Sequence, residues 1–133
     1  MVSDEITIED LQQYQDMIAV VRSTEEEIRM VRESSSHPDS NSGGKSSVRS
    51  AGNPTHVKAM RIVDLEAKLD RYRAKMQAVE DFTENIEDDL IRSIIRWHYI
   101  IGKSWGQTSV IMYGYHDKDI CRKMVSRWFK EKP

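Results

Sequence analysis

Two long segments of the chain carry apolar residues at helical spacing. The first segment, residues 10–33, repeats them every three or four positions and skips one turn near Glu25. This spacing is typical of an amphipathic helix with one apolar face, and Ser3 and Thr7 are both suitable N-caps for it. We therefore predict an N-terminal helix that begins near Thr7 and ends near residue 33. Its apolar face consists of Leu11, Tyr14, Ile18, Val21 and Ile28.

The second segment has the clearest start signal in the chain. Asn53 is a good N-cap, and Pro54 follows in the first turn, where a missing amide costs nothing. The apolar positions then alternate by three and four, which is the heptad repeat of coiled-coil packing. We predict a long helix over 54–86, with the repeat continuing through Ile86 to Leu90. The seam consists of Ile62, Leu65, Leu69, Tyr72, Met76 and Val79.

Residues 34–53, between these two segments, contain eight Ser and three Gly and almost nothing to bury. We predict a flexible linker, because such a composition cannot offset the entropy of ordering. The simplest arrangement is an antiparallel helical hairpin of 1–33 with 54–86, the two apolar faces opposed. Pairing of the same seam between chains is the alternative, and a four-helix dimer would combine both. We expect a homo-oligomer, with a dimer as the first candidate.

Residues 87–133 are predicted to form three short helices separated by two tight breaks. An apolar helix from Leu90 stops at Gly102, a residue suited to the left-handed turn that closes a helix. Ser104 and Gln107 form a capping box that opens the second helix, and Asp117 is a good N-cap for the third. A short helix, a glycine-containing turn and a basic helix are typical of a helix-turn-helix whose second element enters a DNA groove.

Charge separates this last segment from the rest of the chain. Residues 91–133 carry a net charge of +6 and the remaining ninety residues −8. In the last helix Cys121, Met124, Val125 and Trp128 share an inward face by their spacing. Arg122 and Lys123 are then placed to reach base edges, and Lys118, Arg127 and Lys130 to hold phosphates. The predicted DNA-binding residues are Lys118, Arg122, Lys123, Ser126, Arg127, Lys130 and, ahead of the second helix, Lys103. The alternative interpretation is a solubilising surface.

The segment Leu90–Phe129 resembles the sigma-factor region-four-like domain of small proteins encoded by phages and prophages of Gram-positive bacteria. The resemblance extends upstream to Ile62-Val63-Asp64-Leu65-Glu66. Thr108-Ser109 departs from it, because the family usually has an aliphatic residue and Ala there, and the turn Tyr113–Tyr115 is bulkier than usual. The resemblance implies binding to promoter DNA and contact with host RNA polymerase. The residues that carry it are Ile94, Tyr99, Gly102, Ser104, Trp105, Gln107, Arg122, Lys123, Arg127 and Trp128.

Several classes of protein are disfavoured. The single cysteine, Cys121, allows no intramolecular disulfide and fits a reducing compartment. No apolar run reaches the roughly 18 residues of a membrane span, and the acidic N-terminus lacks the order of a signal peptide. His37 has no second ligand at metal-site spacing, and His98 with His116 lacks the partners of a catalytic pair. We expect no enzyme activity, metal or cofactor, and we place the protein in the cytoplasm of a bacterial host.

The sequence thus predicts an all-α protein, a coiled-coil-like antiparallel hairpin followed by a three-helix helix-turn-helix domain. The expected function is that of a phage-type transcriptional regulator acting on double-stranded promoter DNA. One alternative is a small terminase subunit for DNA packaging, which also combines a helix-turn-helix with oligomerising helices. The other is an adaptor or inhibitor that binds a host protein and no DNA.

Overall fold

The computed structural model describes residues 5–36 and 54–132, and every regular element within those ranges is helical. The all-α prediction is therefore confirmed. Ser3, Asn53, His37 and most of the predicted linker lie outside the described residues. No helix within the two ranges combines the length and apolar character needed to cross a bilayer. The elements are α1 (Ile8–Gln12), α2 (Tyr14–Ser36), α3 (Pro54–Glu84), α4 (Asp89–Ile95), a π-helical segment (Arg96–Ile101), α5 (Trp105–Tyr113) and α6 (Ile120–Glu131).

The helix boundaries follow local capping chemistry. Thr7 caps α1 in a capping box with Asp10. Asp88 caps α4, since its carboxylate accepts the amides of Leu90 and Ile91 at 3.0 and 3.1 Å. These side chains occupy backbone donors that a helix start leaves without partners, so each boundary is fixed by residues within one turn of it.

The heptad repeat does not continue past the end of α3. The helix stops at Glu84, and four non-helical residues precede α4. Ile86 is still buried, but Leu90 is 39% exposed, so its predicted place on the seam is wrong. The break resets the helical phase, because the turn between two helices does not preserve a 3.5-residue period.

The apolar helix predicted to run from Leu90 to Gly102 changes geometry halfway. It is α-helical only to Ile95 and π-helical from Arg96 to Ile101. The wider turn closes on Trp97, whose carbonyl accepts the amides of Gly102 and Lys103 at 3.2 and 2.9 Å. Ile101, the last residue of the π-helical segment, is 47% exposed.

The described residues form two compact units. The first comprises the chain up to Ile18 and from Lys75 onward, and the second is Ala19–Ala74. In the first unit α4 and α5 both pack against α6, and the π segment contacts α1 and α5. Its buried core consists of Leu11, Tyr14, Met17, Val79, Ile86, Ile91, Ile94, Ile95, Tyr99, Cys121 and Val125.

The second unit is built from parts of α2 and α3 around a small core of Ile28, Leu65 and Leu69. Arg32 pairs with Glu66 at 2.8 Å, and Glu25 pairs with Arg73. The residue later in α2 thus pairs with the residue earlier in α3, so the paired parts of the two helices run antiparallel within this unit.

The apolar faces of α2 and α3 also contain two buried threonines. Thr24 fills the turn that the apolar repeat skips, and its hydroxyl donates to the Val20 carbonyl at 2.8 Å. Thr83 does the same to Val79 at 2.9 Å. Seam residues Leu65, Leu69 and Val79 are buried within this chain, and Ile62, Tyr72 and Met76 are half-buried.

Candidate nucleic-acid interface

The segment α5–turn–α6 holds the predicted DNA-binding residues. Ser104 caps α5 in the predicted capping box with Gln107, and Gly102 and Gly114 adopt left-handed backbone angles of φ +100° and +85°. Asp117 is not the N-cap of α6 as predicted: that position is Asp119, whose side chain makes no capping bond. The Asp117 carboxylate instead holds the turn before α6, accepting the amides of Asp119 at 2.8 Å and Ile120 at 3.2 Å. Local sequence signals thus fix both ends of α5 and the start of α6.

The orientation of α6 is set by its buried face. Cys121 and Val125 are fully buried in the core of the first unit, one turn apart on the same side of the helix. Burial raises the pKa of the Cys121 thiol, and the nearby Asp117 charge acts in the same direction. Cys121 is therefore a protonated packing residue rather than a reactive thiolate.

The opposite side of α6 is basic and open to solvent. Arg122, Lys123, Arg127 and Lys130 are all exposed, whereas Ser126 between them is half-buried. Lys118, in the turn before α6, is exposed as well. Lys103 is exposed ahead of α5, on a different element. The structure thus places four predicted contact residues on one helical face and two more on the segments that lead into α5 and α6.

Asp119 is an acidic group within this basic surface. Its carboxylate accepts a hydrogen bond from the Arg122 guanidinium at 2.8 Å. That bond lowers the pKa of Asp119, and the charges of Lys123 and Lys118 act in the same direction. Three cations therefore act on one carboxylate.

The bulky turn is held from inside α5. The Ser109 hydroxyl donates to the Tyr115 carbonyl at 2.6 Å, and Ser109 is fully buried. Tyr113 is half-buried and its hydroxyl lies 3.3 Å from the Met124 sulfur on α6, while the Tyr115 ring is exposed. The turn is therefore tied to both helices. Sequence reasoning did not identify Ser109 as a positioning residue, although a polar residue in an apolar helix was the available signal.

The glycine at the start of α5 permits a second contact with the turn. A Cβ added to Gly106 would lie 2.0 Å from Nε2 of His116, so the imidazole ring rests directly on the glycine backbone. Gly106 is buried, and His116 is exposed. His116 therefore has a packing role in the turn.

His98 and Trp105 belong to the aromatic support of the domain. The two rings stack with centroids 3.6 Å apart and an interplanar angle of 15°. His98 Nδ1 lies 2.7 Å from the Lys103 carbonyl, which assigns the proton to that nitrogen. Burial lowers the pKa of His98, against the smaller opposing effect of this hydrogen bond. The stack fixes the break that ends at Ser104.

A contact from α2 holds the π segment in place. The Gln15 side-chain amide donates to the carbonyls of Tyr99 and Ile100, both at 2.9 Å. These carbonyls lie at the end of the π segment, where a helix leaves acceptors without partners. No sequence signal could have identified Gln15, because its partners are more than eighty positions away.

The described residues contain no group of three or more His, Cys, Asp or Glu side chains that could hold a metal ion. Comparison with protein-family models, curated proteins and solved structures finds no match for the chain.

Proposed function

We propose that the protein is a phage-type transcriptional regulator that binds double-stranded DNA through α5 and α6. The observation that supports this most directly is the exposed basic face of α6, opposite the buried Cys121 and Val125. An α-helix fits the major groove of B-DNA, and a basic patch along one helix is the electrostatic footprint of a nucleic-acid contact. In this proposal α2 and α3 form the antiparallel helical hairpin that carries the domain.

In the proposed complex α6 lies in the major groove. Arg122 and Lys123, in the first turn, would reach base edges, where a bidentate guanidinium contact to guanine contributes about 1–3 kcal/mol of discrimination. Lys118, Arg127 and Lys130 would hold phosphates, with Lys103 extending the contact along the backbone. The exposed Arg122–Asp119 pair is of the weak, solvated kind, so exchange of Asp119 for a nucleic-acid partner costs little.

The test is fluorescence anisotropy with a labelled random-sequence duplex over a series of salt concentrations. We expect binding at low salt, with the logarithm of the affinity falling by about 0.9 per phosphate contact for each decade of salt. The variant R122A/K123A should weaken binding at least tenfold at low salt. The matched control, R22A/R71A, removes the same charge from exposed positions of the second unit and should leave the affinity unchanged. Absence of binding at low salt would refute the proposal.

Sequence recognition requires a second measurement. Selection from a random duplex library should yield an enriched motif with the wild-type protein. Lys130→Ala should retain that motif with lower affinity, because a phosphate contact carries no base information. Arg122→Ala should relax the motif at one position. If the wild type and Arg122→Ala enrich the same motif, Arg122 contacts phosphates rather than bases.

We also propose that two copies associate through α3. Val57, Met60 and Val63 are 61%, 50% and 57% exposed, on positions that α2 does not cover. Hydrophobic side chains repeated on one helix are suited to another helix, and a twofold pair would match two DNA half-sites. Light scattering should give a dimer that M60E/V63E converts to a monomer. A ring of eight or more chains would favour a packaging subunit, and a wild-type monomer would refute the dimer.

A further inference from the structure

A groove in the first unit combines aromatic and acidic side chains, on a different side of α6 from its basic face. It has a volume of about 920 Å³ and lies between the end of α3, the α3–α4 turn and the end of α6. Phe82 and Trp128 are its aromatic residues, and both are half-buried. Ile6, Ala78 and Ile86 complete its apolar lining. The acidic residues along it are Asp81, Glu87, Asp88 and Glu131.

One cation of the chain already occupies the aromatic part. The Lys132 ammonium lies 5.1 Å from the ring centroid of Phe82, 5.2 Å from that of Trp128 and 5.5 Å from that of Phe129. It also pairs with the Glu5 carboxylate at 2.9 Å, and its side chain is only 19% exposed. An ammonium within about 6 Å of an aromatic face is attracted by the ring quadrupole. The three rings therefore form a cation-binding site filled by an intramolecular lysine.

Two of the acidic residues in the groove have carboxylates that are open to an incoming cation. Asp88 is engaged as the cap of α4, and Asp81 accepts a hydrogen bond from Gln77. Glu87 and Glu131 are exposed, and neither forms an ion pair with another described residue. Among the described residues that line the groove, Lys132 is the one basic residue. The local charge is therefore negative, which favours a cationic ligand and opposes a phosphate backbone or an anionic lipid surface.

We propose that this groove binds a lysine- or arginine-bearing segment of a partner protein that also carries an aliphatic or aromatic anchor. The anchor packs against Phe82 and Trp128, and the partner's cations pair with Glu87 and Glu131. Lys132 acts as an intramolecular competitor, since its ammonium lies over the same rings against which the incoming anchor packs. Trp128 and the basic Arg127 are neighbours on α6, so one short helix serves a protein partner and DNA on different sides.

The experiment uses short synthetic peptides and the full chain labelled with ¹⁵N. One peptide alternates Lys with Leu, a second replaces every Lys by Glu, and a third replaces every Leu by Ser. We expect the Lys/Leu peptide to shift the indole N–H resonance of Trp128, assigned by comparison with Trp128→Phe. The other two peptides should bind at least tenfold more weakly. The Lys/Glu comparison tests charge, and the Leu/Ser comparison tests the anchor.

Substitutions test whether peptide binding depends on the acidic residues of the groove or on the acidity of the chain in general. E87Q/E131Q should weaken the Lys/Leu peptide several-fold, whereas D64N/D70N, which neutralises two exposed acids outside the groove, should not. Lys132→Ala should strengthen binding, an effect that loss of a merely structural contact would not produce.

Equal binding of the Lys and Glu peptides, or no shift of Trp128, would overturn the proposal. The wild-type comparison decides the matter even if Lys132→Ala does not fold. None of these outcomes depends on DNA binding, which the anisotropy experiment tests separately.

Discussion

Thr108 and Ser109 are adjacent, fully buried residues of α5 that differ in whether the side-chain hydroxyl is hydrogen-bonded. The Ser109 hydroxyl donates to the Tyr115 carbonyl at 2.6 Å, whereas the Thr108 hydroxyl has no hydrogen-bond partner among the described residues. A buried polar group without a partner costs free energy on folding, and one with a partner contributes a modest net gain. The two positions therefore provide a matched pair within one helix.

The substitution Thr108→Val keeps the branched shape and replaces the hydroxyl by a methyl group. It should increase the free energy of unfolding by about 1–2 kcal/mol, because the desolvation cost of an unsatisfied hydroxyl, about 1–3 kcal/mol, disappears. Thr and Val have similar helix propensities, so the backbone contributes little to the difference. Ser109→Ala should decrease the free energy of unfolding by about 1 kcal/mol, since its hydrogen bond is lost.

Urea denaturation followed by circular dichroism measures both changes. A difference of 1 kcal/mol corresponds to roughly 4 °C in melting temperature for a chain of this size, so thermal melts provide a second measurement. The two variants should move in opposite directions from the wild type. If Thr108→Val is as destabilising as Ser109→Ala, the Thr108 hydroxyl has a partner and the reasoning is wrong.

Three further predictions concern the first unit. Gly106→Ala should displace the His116 ring, because its Cβ would lie 2.0 Å from His116 Nε2. That ring belongs to an exposed side chain that can move into solvent, so the loss in thermal melts should be small, and it should disappear when His116→Ala is present in the same chain. Burial, with the Glu80 hydrogen bond, raises the pKa of Tyr14, and burial raises that of Tyr99 to about 12. Both tyrosines ionise at lower pH in the unfolded chain than in the folded one, so the free energy of unfolding should fall above pH ~10 by about 1.4 kcal/mol per pH unit per group. Tyr14→Phe should reduce this dependence of the free energy of unfolding on pH, measured by urea titrations at several pH values. An unchanged dependence would contradict the prediction. The lowered pKa of His98 means that the unfolded state takes up its proton first, so stability should fall as pH decreases below about 6.5, and His98→Phe should flatten the profile. An undiminished acid dependence in that variant would show that another group is responsible.

The features that the sequence predicts correctly are those determined within one turn of the chain. The Ser104–Gln107 capping box and the left-handed Gly102 each need only neighbouring residues. The inward face of α6 was also predictable, because helical spacing alone puts Cys121 and Val125 on one side. Whether the opposite face contacts DNA remains a prediction, since exposure is necessary for that contact and does not identify the ligand.

Hydrophobic periodicity predicts the buried residues less well where two neighbouring apolar residues could occupy the same place on the buried face of a helix. The N-terminal stripe predicted Ile18, yet Met17 is buried and Ile18 is half-buried. Thr24 is buried in the turn that the apolar repeat skips, and its hydroxyl donates to the Val20 carbonyl of the preceding turn. A threonine that donates within its own helix can occupy an apolar face, which a hydrophobicity pattern does not register.

The remaining features depend on contacts between distant parts of the chain. The π segment places the Tyr99 and Ile100 carbonyls where Gln15 can donate to both, so its geometry depends on a residue more than eighty positions earlier. The acidic groove likewise exists only because α6 brings Trp128 and Lys132 to Phe82. In the sequence these are two aromatics and a lysine with no common motif. The basic face of α6 follows from one helix alone, whereas the groove requires α3, the α3–α4 turn and α6 together. A substitution that disturbs the packing of α6 on α4 should therefore weaken peptide binding in the groove before it alters the charge of the basic face.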